Sequence, residues 1–168
     1  MYKQHLLNNI EKEINICRRL YTKLSPDKMS YTPGEGVRTT LELLQYLSIA
    51  GTMMPGYWLQ ETDTDFGTYY GAKVAASKAM PHEQFLTVMD EQIINIKNLF
   101  DGISEDDLLN KEVAYPWNGV KAPLGEAIIA TSIKWLAAYK LQLFLFVKLC
   151  ADKQLATADA WVLSEMPS

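Results

Sequence analysis

Four stretches of this chain repeat apolar residues at the spacing of an α-helix, and connections of very unequal length separate them. In the first stretch, Leu6, Ile10 and Ile14 recur at helical spacing, and charged residues occupy the other faces. The pattern predicts helices over residues 2–24, 37–59, 82–101 and 122–152. Helices with one apolar stripe each bury those stripes against one another, so the expected fold is all-α, a four-helix bundle with long crossover connections.

The two long connections of the predicted bundle carry local signals of their own. Residues 60–80 are polar and contain glycine, which predicts a long loop with one short helix near residues 72–78. Loops of this length often line a site. The segment Ser104-Glu-Asp-Asp107 is a capping-type start for a short helical turn. Residues 111–122 lack a helical period and contain Asn118-Gly119, which predicts a small hairpin.

Size and composition exclude several classes of protein. A chain of 168 residues is predicted to form one domain, residues 1–168, with a core that needs no disulfide. The net charge of -4 argues against a nucleic-acid partner, which would require clustered cations. The most apolar stretch, residues 141–149, is too short to cross a bilayer, so no membrane partner is expected. Cys17 and Cys150 are too few for a disulfide framework, and with no signal peptide in view they indicate a cytoplasmic protein.

Two of the predicted helices carry aromatic residues at motif positions. Residues 42–47 read Glu-Leu-Leu-Gln-Tyr-Leu, and Trp135 and Tyr139 stand four apart on one helix face, followed by Gln142-Leu143. These segments resemble the DinB-like (DinB/YfiT) family of four-helix bundles. That family typically reads Glu-Leu-Leu-x-His-Leu on its second helix and His-x-x-x-His-x-x-Gln-Leu on its fourth. The resemblance implies that Tyr46, Trp135 and Tyr139 occupy the positions of three metal-binding histidines.

The aromatic residues at these positions cannot replace imidazole ligands. Indole has no free lone pair, and the phenol of tyrosine is protonated near neutral pH. We therefore expect no transition metal and no other cofactor at Tyr46, Trp135 and Tyr139. The two histidines, His5 and His82, fall outside the motif and are expected at the surface. The acidic residues of the long connection lack the spacing of a Ca²⁺ loop and are expected to be solvated: Glu61, Asp63 and Asp65.

Two interpretations of the aromatic positions remain open. Either the rings fill the volume that a metal site would occupy, or they line an apolar pocket with a few polar groups. In the second case the pocket would be lined by Tyr46, Trp135, Tyr139 and Gln142, with residues 60–80 above it. Both lead us to expect a non-catalytic protein that binds a small, mostly apolar ligand or none.

The alternative is an enzyme. The resemblance implies metal-dependent thiol transferase or hydrolase activity for family members that keep their histidines. An enzyme without the metal would use Tyr46 or Tyr139 as an acid or base, and a cation would have to lower a tyrosine pKa from about 10. The nearest basic residues on the predicted fourth helix, Lys134 and Lys140, are turned about 100° from the Trp135–Tyr139 face.

One segment predicts an interface. Residues 141–149 are apolar nearly all round, although a helix in a small bundle needs only one apolar stripe. The surplus apolar surface must be covered either by the C-terminal tail, with Trp161 and Val162, or by a second subunit. We expect a homodimer.

Overall fold

The computed structural model describes residues 1–60 and 63–162, and the chain is mostly helical, as predicted. Its α-helices are α1 Tyr2–Tyr21, α2 Thr40–Ala50, α3 Met53–Trp58, α4 Phe66–Lys78, α5 Phe85–Asp101, α6 Glu105–Asn110, α7 Leu124–Ile128 and α8 Lys134–Cys150. A π turn, Ile129–Ile133, joins α7 to α8, and short 3₁₀ helices cover Pro26–Lys28, His82–Gln84 and Thr157–Ala160. Strands β1, Glu112–Ala114, and β2, Lys121–Pro123, pair antiparallel. Glu61, predicted to be a solvated residue, lies outside the described residues.

The core forms where the long helices meet. Helix α1 packs against α5 and α8, and α2 packs against α4, α5 and α8. Apolar side chains from these helices are fully buried there, among them Ile10, Leu43, Met89 and Leu143. Helix α2 therefore has two different neighbours, α4 and α8, along the same stretch of its length. That stretch contains Tyr46.

The helix predicted over residues 37–59 is two helices, and the break has a clear cause. Gln92 of α5 is 2% exposed. Its side-chain amide lies between the Leu47 carbonyl and the Gly51 N–H, which would form a hydrogen bond with each other in a continuous helix. Its Oε1 accepts from the Gly51 N–H at 2.6 Å, and its Nε2 donates to the Leu47 carbonyl at 3.1 Å. A side chain inserted into the i to i−4 ladder ends the regular helix at that point.

The short helix predicted at residues 72–78 is present, but it begins earlier, so the prediction of a loop is wrong for residues 66–71. Helix α4 is 13 residues long and begins at Phe66. The Asp65 carboxylate caps it by accepting from the Thr68 N–H at 3.0 Å and from the Thr68 hydroxyl at 2.6 Å. Tyr57 of α3 packs its ring against the rings of Phe66 and Tyr69, at centroid distances of 5.1 and 5.6 Å. Capping and aromatic packing therefore hold a helix whose sequence contains two glycines.

The second long connection, between α5 and α7, contains the short helix and the hairpin that its local sequence predicts. The Ser104 hydroxyl accepts from the Asp107 N–H, and the Asp107 carboxylate accepts from the Ser104 N–H, which is the predicted capping box at the start of α6. The predicted hairpin is confirmed, with Val113 opposite Ala122. The helix predicted over residues 122–152 is interrupted by the π turn. A π turn holds more residues than an α turn, so it rotates the faces that follow it relative to those before it.

The described part of the C-terminal tail, which ends at Val162, covers part of the apolar surface of α8. Leu155 and Ala160 are buried, and the Lys148 ammonium donates to the Leu155 carbonyl at 2.6 Å. Trp161 and Val162, named in one of the two predicted alternatives for the cover, are 46% and 52% exposed, and the Trp161 ring lies over the Lys140 ammonium of α8. Leucines along the outer face of α8 also stay exposed: Leu141, Leu145 and Leu149. Within the described residues, no helix combines the length and apolarity that a membrane crossing requires.

Candidate functional site

Two of the predicted site residues meet between α2 and α8. The rings of Tyr46 and Tyr139 lie with their centroids 4.5 Å apart and their planes at 57°. The exposed Arg38, just before α2, places its guanidinium carbon 4.9 Å from the Tyr46 centroid and 5.4 Å from the Tyr139 centroid. A cation over two aromatic faces is attracted by both ring quadrupoles. This arrangement packs ring against ring where the family resemblance implies a metal.

The surroundings of Tyr46 keep its hydroxyl protonated. Burial raises the Tyr46 pKa far above that of a free tyrosine, and the neighbouring hydroxyls of Tyr139 and Tyr70 raise it further. Arg38 acts in the opposite direction, but its contribution is smaller than that of burial. At neutral pH the Tyr46 hydroxyl is therefore a neutral group that can donate or accept a hydrogen bond.

Trp135 belongs to a second aromatic cluster, at the hairpin. Its ring lies 6.1 Å from Trp117, which stacks on Tyr115 at 5.1 Å, and Tyr115 lies 6.0 Å from Trp58. The Trp58 indole N–H donates to the Ala114 carbonyl at 2.9 Å, which ties α3 to β1. The structure thus connects Trp135 to the hairpin and leaves Tyr139 as the partner of Tyr46.

Gln142 stands apart from both aromatic clusters. It follows Tyr139 by one turn of α8 and is half-buried. Within the described residues its amide makes no hydrogen bond to the protein. It is not part of the lining of the cleft described next, and its role in a pocket stays a prediction.

A cleft of about 280 Å³ opens beside Tyr46, between α2 and α4. Its lining residues are Arg38, Glu42, Gln45, Tyr46, Tyr70, Val74, Ser77 and Lys78. Of the four predicted pocket residues, Tyr46 alone is part of this lining in the described chain. The connection over residues 60–80 does contribute a wall, as predicted, but it does so as helix α4.

Two cations and one carboxylate surround the cleft. Glu42 uses Oε2 to accept from the Thr39 N–H at 2.7 Å and from the Thr39 hydroxyl at 3.1 Å. These hydrogen bonds lower the Glu42 pKa, so its carboxylate is ionised at neutral pH. In the described part of the chain, neither Arg38 nor Lys78 forms an ion pair within 4 Å. The cleft therefore has one more positive charge than it has negative charges.

A buried amide fixes the two walls relative to each other. Gln45 of α2 is 8% exposed, and its Nε2 donates to the carbonyls of Lys78 and Met80 at 2.9 and 3.0 Å. These carbonyls lie at the end of α4 and just beyond it. Because the hydrogen bonds join the end of α4 to the middle of α2, the backbone that carries Lys78 is held beside Tyr46.

Other titratable groups lie away from the cleft. His82 was expected at the surface, which is wrong: its side chain is 18% exposed, and its Nδ1 lies 3.2 Å from the Tyr21 hydroxyl. Lys140 is buried against α1, with its ammonium 2.6 Å from Glu13. Over residues 1–60 and 63–162, no three histidine, cysteine or acidic side chains are grouped so that they could hold a metal ion.

Sequence reasoning did not identify Arg38 as the cation beside the tyrosines. The predicted helix over residues 37–59 includes Arg38 but gives it no role, and in the structure Arg38 precedes α2, which begins at Thr40. Comparisons with protein-family models and with curated proteins find no match for this chain. The site is therefore described by its own geometry.

Proposed function

We propose that this protein binds a small ligand without catalysis, and that the ligand carries one negative charge and an apolar or aromatic body. The observation that carries this proposal is the cleft beside Tyr46, whose walls combine Tyr46, Tyr70 and Val74 with the cations Arg38 and Lys78 against the single carboxylate of Glu42. A volume near 280 Å³ lies at the lower end of the range for small-molecule sites. The sequence predicts a mostly apolar ligand, and the two cations of the cleft lead us to add one anionic group to that description.

The chemistry of the lining residues favours binding over catalysis. Catalysis by Tyr46 would require a pKa lowered toward neutrality, whereas burial and Tyr139 raise it. The alternative, a metal-dependent thiol transferase or hydrolase, would require ligands other than the aromatic side chains at Tyr46, Trp135 and Tyr139. No observation favours that alternative.

The proposed ligand makes two kinds of contact. Its apolar body would pack on the rings of Tyr46 and Tyr70, and its anion would accept hydrogen bonds from Arg38 and Lys78. Hydrogen bonds to a charged group contribute about 1.5–3 kcal/mol, and 1.4 kcal/mol corresponds to tenfold in affinity. Removing one of the two cations should therefore weaken binding about tenfold or more.

Benzoate and its neutral analogue benzamide test this proposal, because they differ in charge and hardly in shape. In isothermal titration we expect benzoate to bind more tightly than benzamide, and Arg38→Met and Lys78→Met each to weaken benzoate about tenfold. Lys153→Met removes an exposed cation far from the cleft in sequence and controls for net charge. Equal affinity for the two probes, or equal loss in all three variants, would refute the proposal.

We also propose that the chain is a divergent, four-helix-bundle member of the DinB-like family. The support is the motif around Tyr46 and Trp135, and the packing of α1, α2, α5 and α8 on one another. Cys17 and Cys150 are free thiols, which supports a cytoplasmic location. A crystal structure with a different arrangement of the four long helices would contradict the family assignment.

The exposed leucines of α8 support the proposal of a homodimer. Leu141, Leu145 and Leu149 recur every four residues and are 40–57% exposed. Two copies of one helix face can cover each other, since the same patch serves both subunits. Light scattering should give twice the mass of the chain, and Leu145→Glu should give the single mass. A monomeric wild-type protein at micromolar concentration would contradict the proposal.

A further inference from the structure

A second and larger cavity lies on the opposite flank of α4, where α3, α4 and α5 converge. Its volume is about 500 Å³, and its lining residues are Thr52, Gly56, Tyr69, Lys73, Asn95, Asn98 and Leu99. Tyr69 and Lys73 of α4 face this cavity, whereas Tyr70 and Val74 of the same helix face the cleft beside Tyr46. The cavity and the cleft share no lining residue.

The cation of this cavity is positioned by an aromatic ring. A Cβ atom at Gly56 would lie 2.4 Å from the Tyr69 hydroxyl oxygen, so only glycine lets Tyr69 approach the α3 backbone this closely. The Lys73 ammonium lies 5.5 Å from the centroid of the Tyr69 ring. Because the ring is held against α3, the lysine that packs on it is held at the cavity mouth.

The polar groups that line the cavity are exposed and therefore open to a ligand from solvent: Lys73, Asn95 and Asn98. Within the described residues, Lys73 forms no ion pair, and the amides of Asn95 and Asn98 form no hydrogen bond to the protein. The other described asparagines all use their side chains in hydrogen bonds to the protein: Asn8, Asn9, Asn15, Asn110 and Asn118. The two free amides lie on adjacent turns of one face of α5, and both line this cavity.

We propose that this cavity binds a small monocarboxylic acid that carries several hydroxyl groups, the chemistry of a sugar acid. Lys73 would bind the carboxylate. Each asparagine amide both donates and accepts, as a hydroxyl group does, so Asn95, Asn98 and the Tyr69 hydroxyl match a polyol. The single lysine matches one negative charge, whereas tight phosphate sites use bidentate arginine or a glycine-rich loop. This proposal is independent of the ligand at the cleft.

Glucuronate and its uncharged relative glucose are the probes for this cavity. In NMR or calorimetric titration of the full chain, we expect glucuronate to bind at millimolar concentration and glucose to bind at least fivefold more weakly. Lys73→Met should weaken glucuronate about tenfold, and Asn98→Ala, which keeps the charge, should weaken both probes. Arg38→Met, which alters only the cleft, should leave glucuronate binding unchanged.

The proposals for the cavity and for the cleft can be refuted separately. Failure of glucuronate to bind, or equal binding to wild type and Lys73→Met, would overturn the proposal for this cavity whatever benzoate does. Loss of glucuronate binding in Arg38→Met would also overturn it, because the probe would then occupy the cleft. Circular dichroism of each variant establishes that a loss of binding does not come from unfolding.

Discussion

Replacing Gly51 with alanine should destabilise the protein, although alanine is the better helix former. A Cβ atom at this position would lie 2.7 Å from Oε1 of Gln92 and 3.2 Å from Cδ1 of Leu136. Gln92 is buried, and its amide holds the Gly51 N–H and the Leu47 carbonyl. To admit the methyl group, the amide must move, and both hydrogen bonds weaken together.

The expected magnitude follows from these contacts. A hydrogen bond contributes about 0.5–1.5 kcal/mol net, and a stranded buried polar group costs about 1–3 kcal/mol. Gly51 has backbone angles that alanine adopts readily, so exchanging it for alanine returns about 0.4–1 kcal/mol by restricting the unfolded chain. The free energy of unfolding of Gly51→Ala should therefore fall by about 1–3 kcal/mol in urea denaturation. Gly71→Ala is the matched control: Gly71 lies within α4 with open space around it, so this change should stabilise by about 0.5–1 kcal/mol.

A double-mutant cycle tests the proposed cause. Gln92→Met removes the amide that meets the new methyl group, so Gly51→Ala should cost less in that background than in wild type. The two changes should deviate from additivity by at least about 0.5 kcal/mol. Additive effects, or a stabilised Gly51→Ala, would refute the explanation of the break between α2 and α3.

Three further predictions concern charge and the C-terminal tail. Glu13→Gln leaves the Lys140 ammonium, 1% exposed, without its counter-charge, and should lower the free energy of unfolding by about 3 kcal/mol; adding Lys140→Met should restore most of the loss in urea denaturation. Trp161→Ala removes the ring whose centroid lies 4.6 Å from the Lys140 ammonium and should cost about 1 kcal/mol, with Val162→Ala as a near-neutral control. The raised pKa of Tyr46 means that the unfolded chain loses this proton first, so the free energy of unfolding should fall as pH rises above about 10, and Tyr46→Phe should flatten that fall in denaturation series at successive pH values.

Predictions from local sequence signals were the most accurate. The capping box at Ser104 and the hairpin around Asn118-Gly119 depend on residues within a few positions of one another, and the structure contains both. Helix α1 has a regular apolar stripe that packs directly on α5 and α8, so periodicity located it to within three residues. Elements of this kind can be predicted from the residues that form them.

Features that depend on distant residues could not be predicted in this way. The break after α2 requires Gln92, which lies 41 residues from Gly51. Helix α4 buries only Ser77 along its length, so it has no apolar stripe to detect, and its glycines suggested a loop. Its stability comes from the Asp65 cap and from rings that the chain brings to it from α3.

The candidate site likewise has a part that the sequence predicts and a part that depends on distant residues. The sequence resemblance implied that Tyr46, Trp135 and Tyr139 lie together; the structure brings the rings of Tyr46 and Tyr139 together and places Trp135 beside Trp117. The cation above them comes from an irregular segment, and the opposite wall of the cleft comes from helix α4, of which only residues 72–78 were predicted to be helical. Helical geometry turns Lys140 away from the Trp135–Tyr139 face, and in the structure its ammonium contacts Glu13 of α1. A pocket assembled from three chain segments cannot be derived from the periodicity of one.

The most direct test of the proposed function is to map bound benzoate by amide chemical shifts in the isotopically labelled protein. We expect benzoate to shift the amides of Tyr46, Tyr70, Val74 and Lys78 most strongly, and Arg38→Met to reduce those shifts severalfold at a benzoate concentration near the wild-type Kd, as a tenfold loss of affinity requires. Shifts centred on another surface, or shifts that persist unchanged in Arg38→Met, would contradict the assignment of the cleft as an anion-binding ligand site.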